Sequence, residues 1–249
     1  MCARLAAGVD VGGSHIAAGV VDDAWRVVSK RTVGLSGPRG PRAVAETAAR
    51  LLLECLGGER VAGVGIGLPG LVRQPEQTVA IAPNLGWRDA EVAEEFRAAM
   101  APVTDSVALD NDANLAALGE WACGAGRGHG VVVCVTVGTG IGAGIVIDGR
   151  VYHGASGFAG EIGHVKVVDG GEPCGCGGEG CLETVASGTA VARDGSEALG
   201  RTVSAREVFD AAREGNAAAL EVVGRAGRLF GRGLSFVVNL VDPDLIVVG

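Results

Sequence analysis

Two similar stretches decide the fold: residues 5–22 read LAAGVDVGGSHIAAGVVD and residues 131–148 read VVVCVTVGTGIGAGIVID. Each has an apolar run, a glycine-rich tip and a second apolar run, which is typical of a β-hairpin. An offset of 126 residues aligns Asp10 with Thr136, Gly12 with Gly138 and Val20 with Val146. We interpret the pair as an internal duplication, which predicts two related α/β domains facing each other across a cleft.

The rest of the chain fits the same α/β pattern. Apolar runs predict further strands at Val27–Val33, Val61–Gly67, Val107–Leu109 and Leu245–Val248. Helices are predicted at Ala43–Leu56, at Ala90–Met100, from just after Asp112 to near Gly124, and over most of the chain from Ser187 onward. The boundary between the domains is placed so that they comprise residues 1–112 and 113–249.

Composition limits the class of protein. With 48% hydrophobic and 20% charged residues, the 249-residue chain can bury a core, and its 43 glycines lack the three-residue repeat of collagen. A net charge of −8 gives no basic surface for nucleic acid. No long uncharged apolar run and no signal-like N-terminus is present, so we expect no membrane partner and a cytoplasmic protein.

Both glycine-rich tips have a use beyond turning the chain. Without Cβ atoms, successive N–H groups can surround phosphate oxygens, although two tight hairpins would explain either tip alone. Residues 65–70, GIGLPG, match the dinucleotide pattern G-x-G-x-x-G, but its final Pro-Gly and the following residues 71–75, LVRQP, cannot open a helix. We therefore reject a Rossmann site there, and a turn at the edge of the sheet stays open as an alternative.

A polar run, Asp110-Asn111-Asp112-Ala113-Asn114, stands where a predicted strand passes into a helix. Capping the helix needs only one of these residues. The others lie where open α/β sheets place their ligands, and a carboxylate there could accept a hydroxyl proton during phosphoryl transfer.

Three thiols and one imidazole lie within eighteen residues, at His164, Cys174, Cys176 and Cys181. This is the Cys3His set of a closed structural zinc site, and the alternative is a group of reduced cysteines on an exposed loop. Four protein ligands leave no open position for a reactive water, so the metal would shape the site. Glu161 and Glu183 lie close by in sequence, whereas we interpret His15, His129 and His153 as surface or turn residues.

The motifs together resemble the ROK family of sugar kinases, especially its bacterial glucokinases. The matching stretches follow the family's order along essentially the whole chain: residues 8–14, 65–70, 82–87, 111–114, 138–142, 160–164 and 174–183. The resemblance implies an actin-like ATPase (ribonuclease H-like) fold. It also implies ATP-dependent phosphorylation of a hexose at the 6-hydroxyl, with D-glucose as the expected sugar.

The resemblance also implies a role for each candidate residue. Asp112 would be the general base. The sugar would contact Pro69, Gly70, Asn84, Asn111, Asp112, Glu161, His164 and Glu183. The phosphates and Mg²⁺ would contact Asp10, Gly12, Gly13, Ser14, Gly138, Thr139 and Gly140. Structural zinc would be bound by His164, Cys174, Cys176 and Cys181.

Several expectations stay open. Other members of the family phosphorylate fructose, mannose or N-acetylhexosamines, and polyphosphate replaces ATP in some. Others are sugar-sensing repressors with an N-terminal helix-turn-helix, for which this sequence has no room before Gly12. The resemblance further implies a homo-oligomer, dimer or tetramer. It also implies that a chain ending at Gly249 is truncated and could bind sugar without being fully active.

Overall fold

Two units, each with its own sheet and apolar core, make up residues 5–249, the part of the chain that the computed structural model describes. One unit contains the chain up to Gly119 together with Tyr152–Ala159, and the other contains Glu120–Val151 and Gly160–Gly249. We call them unit 1 and unit 2. The predicted division into domains at residue 112 stays a prediction.

The described part of unit 1 contains eight strands. In chain order they are β1 (Ala6–Val11), β2 (His15–Val21), β3 (Val27–Gly34), β4 (Val64–Leu68), β5 (Leu71–Arg73), β6 (Thr78–Ala82), β7 (Trp87–Glu91) and β8 (Val107–Asn111). The main sheet has the order β3-β2-β1-β4-β8. The first three strands form an antiparallel meander, and β4 and β8 run parallel to β1.

Helix α1 (Pro41–Leu56) follows β3 and covers this sheet. Pro41 stands in its first turn, where the missing N–H costs nothing, and Gly57 ends it in the left-handed conformation. Its buried face, which includes Val44, Ala48 and Leu52, joins the core formed with β1, β2 and β4.

A second, three-stranded sheet in unit 1, of order β5-β6-β7, was not predicted. Its last strand, β7, occupies the start of the predicted helix Ala90–Met100, so helix α2 is shorter, Ala93–Met100. Ala90 pairs with Val79 of β6, so strand pairing decides the conformation there. The edge-turn alternative for residues 65–70 is also wrong for their first part, because β4 lies between β1 and β8.

The sheet of unit 2 repeats four strands of the main sheet of unit 1. Its strands are β9 (Val131–Val137), β10 (Ile141–Ile147), β11 (Arg150–Val151) and β12 (Leu245–Val248), in the order β11-β10-β9-β12 with β12 parallel to β9. This matches β3-β2-β1-β4 strand for strand, which confirms the duplication.

Strand register corrects one detail of the repeat. Val11 pairs with Ile16 across a four-residue tip, whereas Val137 pairs with Ile141 across only three residues. The second tip is therefore one residue shorter, and the offset of 126 holds only up to the tip. Beyond it, the structural counterpart of Val20 is Ile145 and not Val146.

The remaining helices are α3 (Asp112–Cys123), α4 (Leu182–Ala186), α5 (Gly188–Leu199), α6 (Ala205–Arg213) and α7 (Ala217–Val241). The chain after Ser187 is mostly helical and ends in β12, as predicted. Val237 of α7 and Leu182 of α4 share a core with Val133 and Val135 of β9. Among residues 5–249, no helix combines the length and the apolar character needed to cross a membrane.

Candidate functional site

Three parallel strands of unit 1 bring polar residues to one edge of the sheet. Asp10 pairs with Gly67, and Gly67 pairs with Asp110, so β1, β4 and β8 end at nearly the same level. The carboxyl ends of parallel strands are where open α/β sheets bind ligands. Asp10 of β1 and Asp112, just beyond β8, are therefore delivered to the same edge.

Asp112 is the first residue of α3, directly after β8. Its Oδ1 accepts a hydrogen bond from the Ala113 N–H at 2.8 Å. A Cβ atom on Gly67 would lie 3.3 Å from the Asp112 Cα, so glycine lets this turn pack closely against β4. As a residue, Asp112 is exposed to solvent. Even so, desolvation of its carboxyl by the surrounding protein, followed by the nearby charge of Asp10, raises its pKa above the usual range.

The residues around Asp112 form a hydrogen-bonded junction between β8 and α3. Asn111 caps the helix, because its Oδ1 accepts from the Asn114 N–H at 3.1 Å, while its Nδ2 donates to the Gly70 carbonyl at 3.0 Å. Asp110 Oδ1 accepts from the Asn111 N–H at 2.7 Å and from Asn114 Nδ2 at 2.9 Å. Asp110 and Asn114 are both buried. The run that the sequence singled out is thus partly structural and partly available to a ligand.

His153 belongs to this junction, which corrects its interpretation as a surface or turn residue. Its Nε2 lies 2.6 Å from Asp110 Oδ2, and the two side chains are 30% and 11% exposed. Tyr152–Ala159 follows β11 of unit 2 in sequence but packs within unit 1. The pairing is long-range, so no local pattern around His153 could have indicated it. His15 is exposed and His129 is partly exposed, and both lie at the surface, as predicted.

The first glycine-rich tip lies close to Asn84, and the bend after β4 contains Pro69 and Gly70. All three are predicted site residues. A Cβ atom on Gly13 would lie 2.7 Å from the Asn84 Cβ, so the tip contacts Asn84 directly. Ser14 is exposed, with Oγ 3.1 Å from His15 Nδ1. After the buried Pro69, Gly70 has a φ of +86°, and a side chain there would collide with the Ile81 carbonyl. Only glycine fits that bend.

In unit 2, the second tip, Gly138–Gly140, is braced by two helices. The Gly188 N–H and the Thr189 hydroxyl, both at the start of α5, donate to the carbonyls of Gly138 and Thr139 at 2.8 Å each. From α4, Glu183 Oε2 accepts from the Ile141 N–H at 3.0 Å. The tip and Glu183 are therefore in direct contact.

The four predicted metal ligands of unit 2 also come together. Their donor atoms all lie within 4.8 Å of one another. Cys176 Sγ is 3.7 Å from Cys181 Sγ, and Cys174 Sγ is 3.5 Å from His164 Nδ1. With Zn–S near 2.3 Å and Zn–N near 2.05 Å, a tetrahedron has edges of about 3.8 Å and about 3.6 Å. Burial and the neighbouring sulfurs raise the pKa of the Cys181 thiol to about 12, so a thiolate there needs a cation.

The two ring nitrogens of His164 face different neighbours. Nδ1 faces Cys174, whereas Nε2 lies 3.7 Å from Glu161 Oε2. A Cβ atom on Gly163 would collide with the Ile141 carbonyl, so the segment lies flat against β10. Glu161 and His164 are thus held next to each other beside the thiol cluster.

Comparisons with known proteins agree with this architecture. A family model described as the ROK family matches residues 6–249. The glucokinase of Streptomyces coelicolor is 36% identical over 98% of this chain and 81% of its own length. A putative xylose repressor of Caldicellulosiruptor sp. is 30% identical over 98% of this chain and 65% of its own length.

A solved structure gives the same result. The ROK family glucokinase from Streptomyces griseus, in complex with glucose and AMPPNP, matches with a TM-score of 0.86 and 35% identity. The match covers 98% of this chain and 82% of that one. With the duplicated sheet order, this likeness confirms the predicted actin-like ATPase fold. The family match over residues 6–249 and these likenesses show that the chain belongs to the ROK family.

Proposed function

We propose that this chain is a sugar kinase that transfers the γ-phosphoryl group of ATP to the 6-hydroxyl of a hexose, with D-glucose as the preferred sugar. The glucokinase relatives support the reaction class and the nucleotide. The observation that carries the proposal is Asp112, a carboxylate of raised pKa at the ligand-binding edge of the sheet. Raised basicity is what a general base for an alcohol requires.

In the proposed mechanism, Asp112 takes the proton from the 6-hydroxyl as that oxygen forms a bond to the γ-phosphorus. The bond from the γ-phosphorus to the bridging oxygen breaks, and ADP leaves with that electron pair. Because the transition state is loose and its charge is spread, the protein contributes mainly alignment and N–H donors. In this scheme Gly12, Gly13, Ser14 and Gly138–Gly140 supply phosphate contacts.

Asp10 is the proposed protein ligand for Mg²⁺. It is an exposed carboxylate at the end of β1, and hard divalent cations prefer oxygen donors. The raised pKa of Asp112 reflects in part the charge of Asp10, which a cation would offset. Bound Mg²⁺ would neutralise charge on the phosphates.

The sugar contacts that we propose from the family resemblance are Pro69, Gly70, Asn84, Asn111, Asp112, Glu161, His164 and Glu183. Asn111 already uses one amide hydrogen and one lone pair within the protein. One hydrogen and one lone pair remain for a hydroxyl. Such fixed partners distinguish sugar epimers, because a misplaced hydroxyl leaves them unsatisfied.

Zinc is the proposed metal of the thiol cluster, with a structural role. Three sulfurs and one imidazole nitrogen within 4.8 Å of one another fit this ion, and two of their separations, 3.7 Å and 3.5 Å, are close to tetrahedral edges. His164 Nδ1 would bind the ion, which would fix the ring so that Nε2 faces Glu161. Reduced thiols and ATP both suit a cytoplasmic location, which we propose for this enzyme. The homo-oligomer stays a prediction.

A coupled assay for sugar phosphates, with calorimetry for binding, tests the function. We expect glucose with ATP to give the highest kcat/KM in a panel of glucose, fructose, mannose and N-acetylhexosamines, with ATP or polyphosphate as donor. If another combination of sugar and phosphate donor gave the highest kcat/KM, that combination would replace glucose and ATP as the substrates. No phosphorylation and no glucose binding would contradict the proposal, and glucose-sensitive DNA binding at low salt would favour a repressor.

Contact between Glu183 and the second tip makes a variant of that tip informative. A Cβ atom on Gly140 would collide with the Glu183 carboxylate. We therefore expect Gly140→Ala to raise the KM for glucose as well as for ATP, roughly tenfold or more, because small displacements are costly. Gly138→Ala is the matched control, since its Cβ would meet nothing within 4 Å. It should leave the glucose KM unchanged, and equal glucose KM values for both variants would contradict the link.

A further inference from the structure

The segment Tyr152–Ala159 carries a histidine to the β8–α3 junction although it is distant in sequence. Its own turn is closed by a hydrogen bond from the Ala159 N–H to the His153 carbonyl at 3.0 Å. Gly157, at a φ of +86°, packs so closely that a side chain would collide with the Val72 carbonyl. The segment is therefore fixed against β5 and holds His153 in place.

His153 completes the hydrogen bonding of a buried carboxylate. Asp110 is 8% exposed, and its Oδ1 already accepts from the Asn111 N–H and from Asn114 Nδ2. Its Oδ2 lies 2.6 Å from His153 Nε2. Without His153, Oδ2 would lose its only partner within residues 5–249 that the structure shows, and an unpaired buried carboxylate is costly.

This carboxylate is joined to the residue that performs the proposed chemistry. Asp110 accepts a hydrogen bond from the N–H of Asn111, which is the residue immediately before Asp112. Asn114, the other donor, lies one residue after Ala113, whose N–H binds Asp112 Oδ1. A shift of Asp110 would therefore be transmitted to both sides of Asp112.

We infer that His153 is a positioning residue that, by pairing with Asp110, holds the start of α3 so that Asp112 is aligned with its hydroxyl. The inference rests on the proposed function of Asp112 as the base. Misalignment by a fraction of an ångström affects the chemical step more than binding. Of the proposed sugar contacts, Asn111 and Asp112 belong to this junction, whereas Asn84, Glu161, His164 and Glu183 do not, so glucose binding should change less than the chemical step.

The experiment compares His153→Leu, His153→Gln and the control His129→Leu, in which a partly exposed histidine outside the junction is replaced. We expect His153→Leu to lower kcat about tenfold with the glucose KM changed by less than about twofold. His153→Gln should restore most of the kcat, because its amide N–H can reach Asp110. His129→Leu should behave as the unaltered protein.

A double-mutant cycle with Asp110→Asn tests whether His153 acts through Asp110. If it does, His153→Leu lowers kcat no further in the Asp110→Asn background, since coupled residues are not additive. Three outcomes would overturn the inference. The effects of the two substitutions could be additive, or kcat could be unchanged in His153→Leu. The third is that His153→Leu and His153→Gln lose the same kcat and the same thermal stability as each other. Should Asp110→Asn fail to fold, the Leu and Gln comparison decides alone.

Amide hydrogen exchange separates this inference from the proposed function. Exchange of the Asn111 N–H can be measured whether or not the protein phosphorylates a sugar. We expect it to accelerate at least about tenfold in His153→Leu and to stay unchanged in His129→Leu. If the unaltered chain is inactive, the proposed function fails, and an unchanged Asn111 exchange rate would then also overturn the role of His153.

Discussion

Asp112→Asn is expected to lower kcat by about 10²- to 10⁴-fold, the usual contribution of a general base. Asparagine keeps the size of the side chain and can still accept the Ala113 N–H at its amide oxygen. It cannot accept a proton from the sugar hydroxyl at neutral pH. We therefore expect the glucose KM to change little, and a coupled assay across glucose concentrations measures both constants.

The same substitution should make the fold more stable, which serves as its control. Burial and the charge of Asp10 raise the folded pKa of Asp112 above its unfolded value. The folded protein therefore binds this proton more tightly, and stability is lost as pH rises from the unfolded pKa through the folded one. At neutral pH the ionised carboxylate costs stability that asparagine does not. A higher melting temperature with kcat undiminished would contradict the role of Asp112 as base while leaving its environment as described.

Local sequence was sufficient to predict the duplicated hairpins and the clustering of the three thiols with His164. The hairpins depend on alternation and on glycines at the turn, and both act over a few residues. The cluster depends on four ligands within eighteen residues, which a short loop is able to bring together. The boundary of α2 and the register after the second tip could not be predicted in this way. Pairing with β6 and a one-residue difference between tips decided them.

The same distinction applies to the candidate site. Asn111 and Asp112 are adjacent in sequence, so one strand-to-helix turn delivers both, and their motif was visible. His153 reaches Asp110 from 43 residues away. Contacts of Gly157 with the β5 region, which are properties of packing, hold it there. The polar run at residues 110–114 was visible in the sequence. His153, which pairs with the buried Asp110 of that run, was not.

Cys181 joins the thiol cluster to residues of the proposed sugar and phosphate sites. It is buried and occupies the N-cap position of α4, whose second residue is Glu183. Glu183 in turn accepts a hydrogen bond from the Ile141 N–H, beside the second glycine-rich tip. The cluster therefore fixes the start of α4, and the position of the Glu183 carboxylate depends on it.

Cys181→Ser is consequently expected to abolish stoichiometric zinc binding and to weaken glucose binding by about 10- to 100-fold. The hydroxyl is a poor zinc ligand, and the loop loses the free energy that metal binding contributes to folding. Metal analysis gives the zinc content, calorimetry gives the glucose affinity, and the melting temperature should fall. Treating the unaltered protein with a chelator should reproduce all three changes.

Cys123→Ser provides the matched control, because Cys123 is an exposed thiol outside the cluster. It should retain one zinc per chain and normal glucose affinity. If Cys181→Ser loses the metal but binds glucose as tightly as the unaltered protein, then Glu183 is positioned by the core around Leu182 and not by the ion. The cluster would then stabilise its own loop only. Retention of zinc by Cys181→Ser would instead show that the site does not require the four-ligand set that its sequence and geometry indicate.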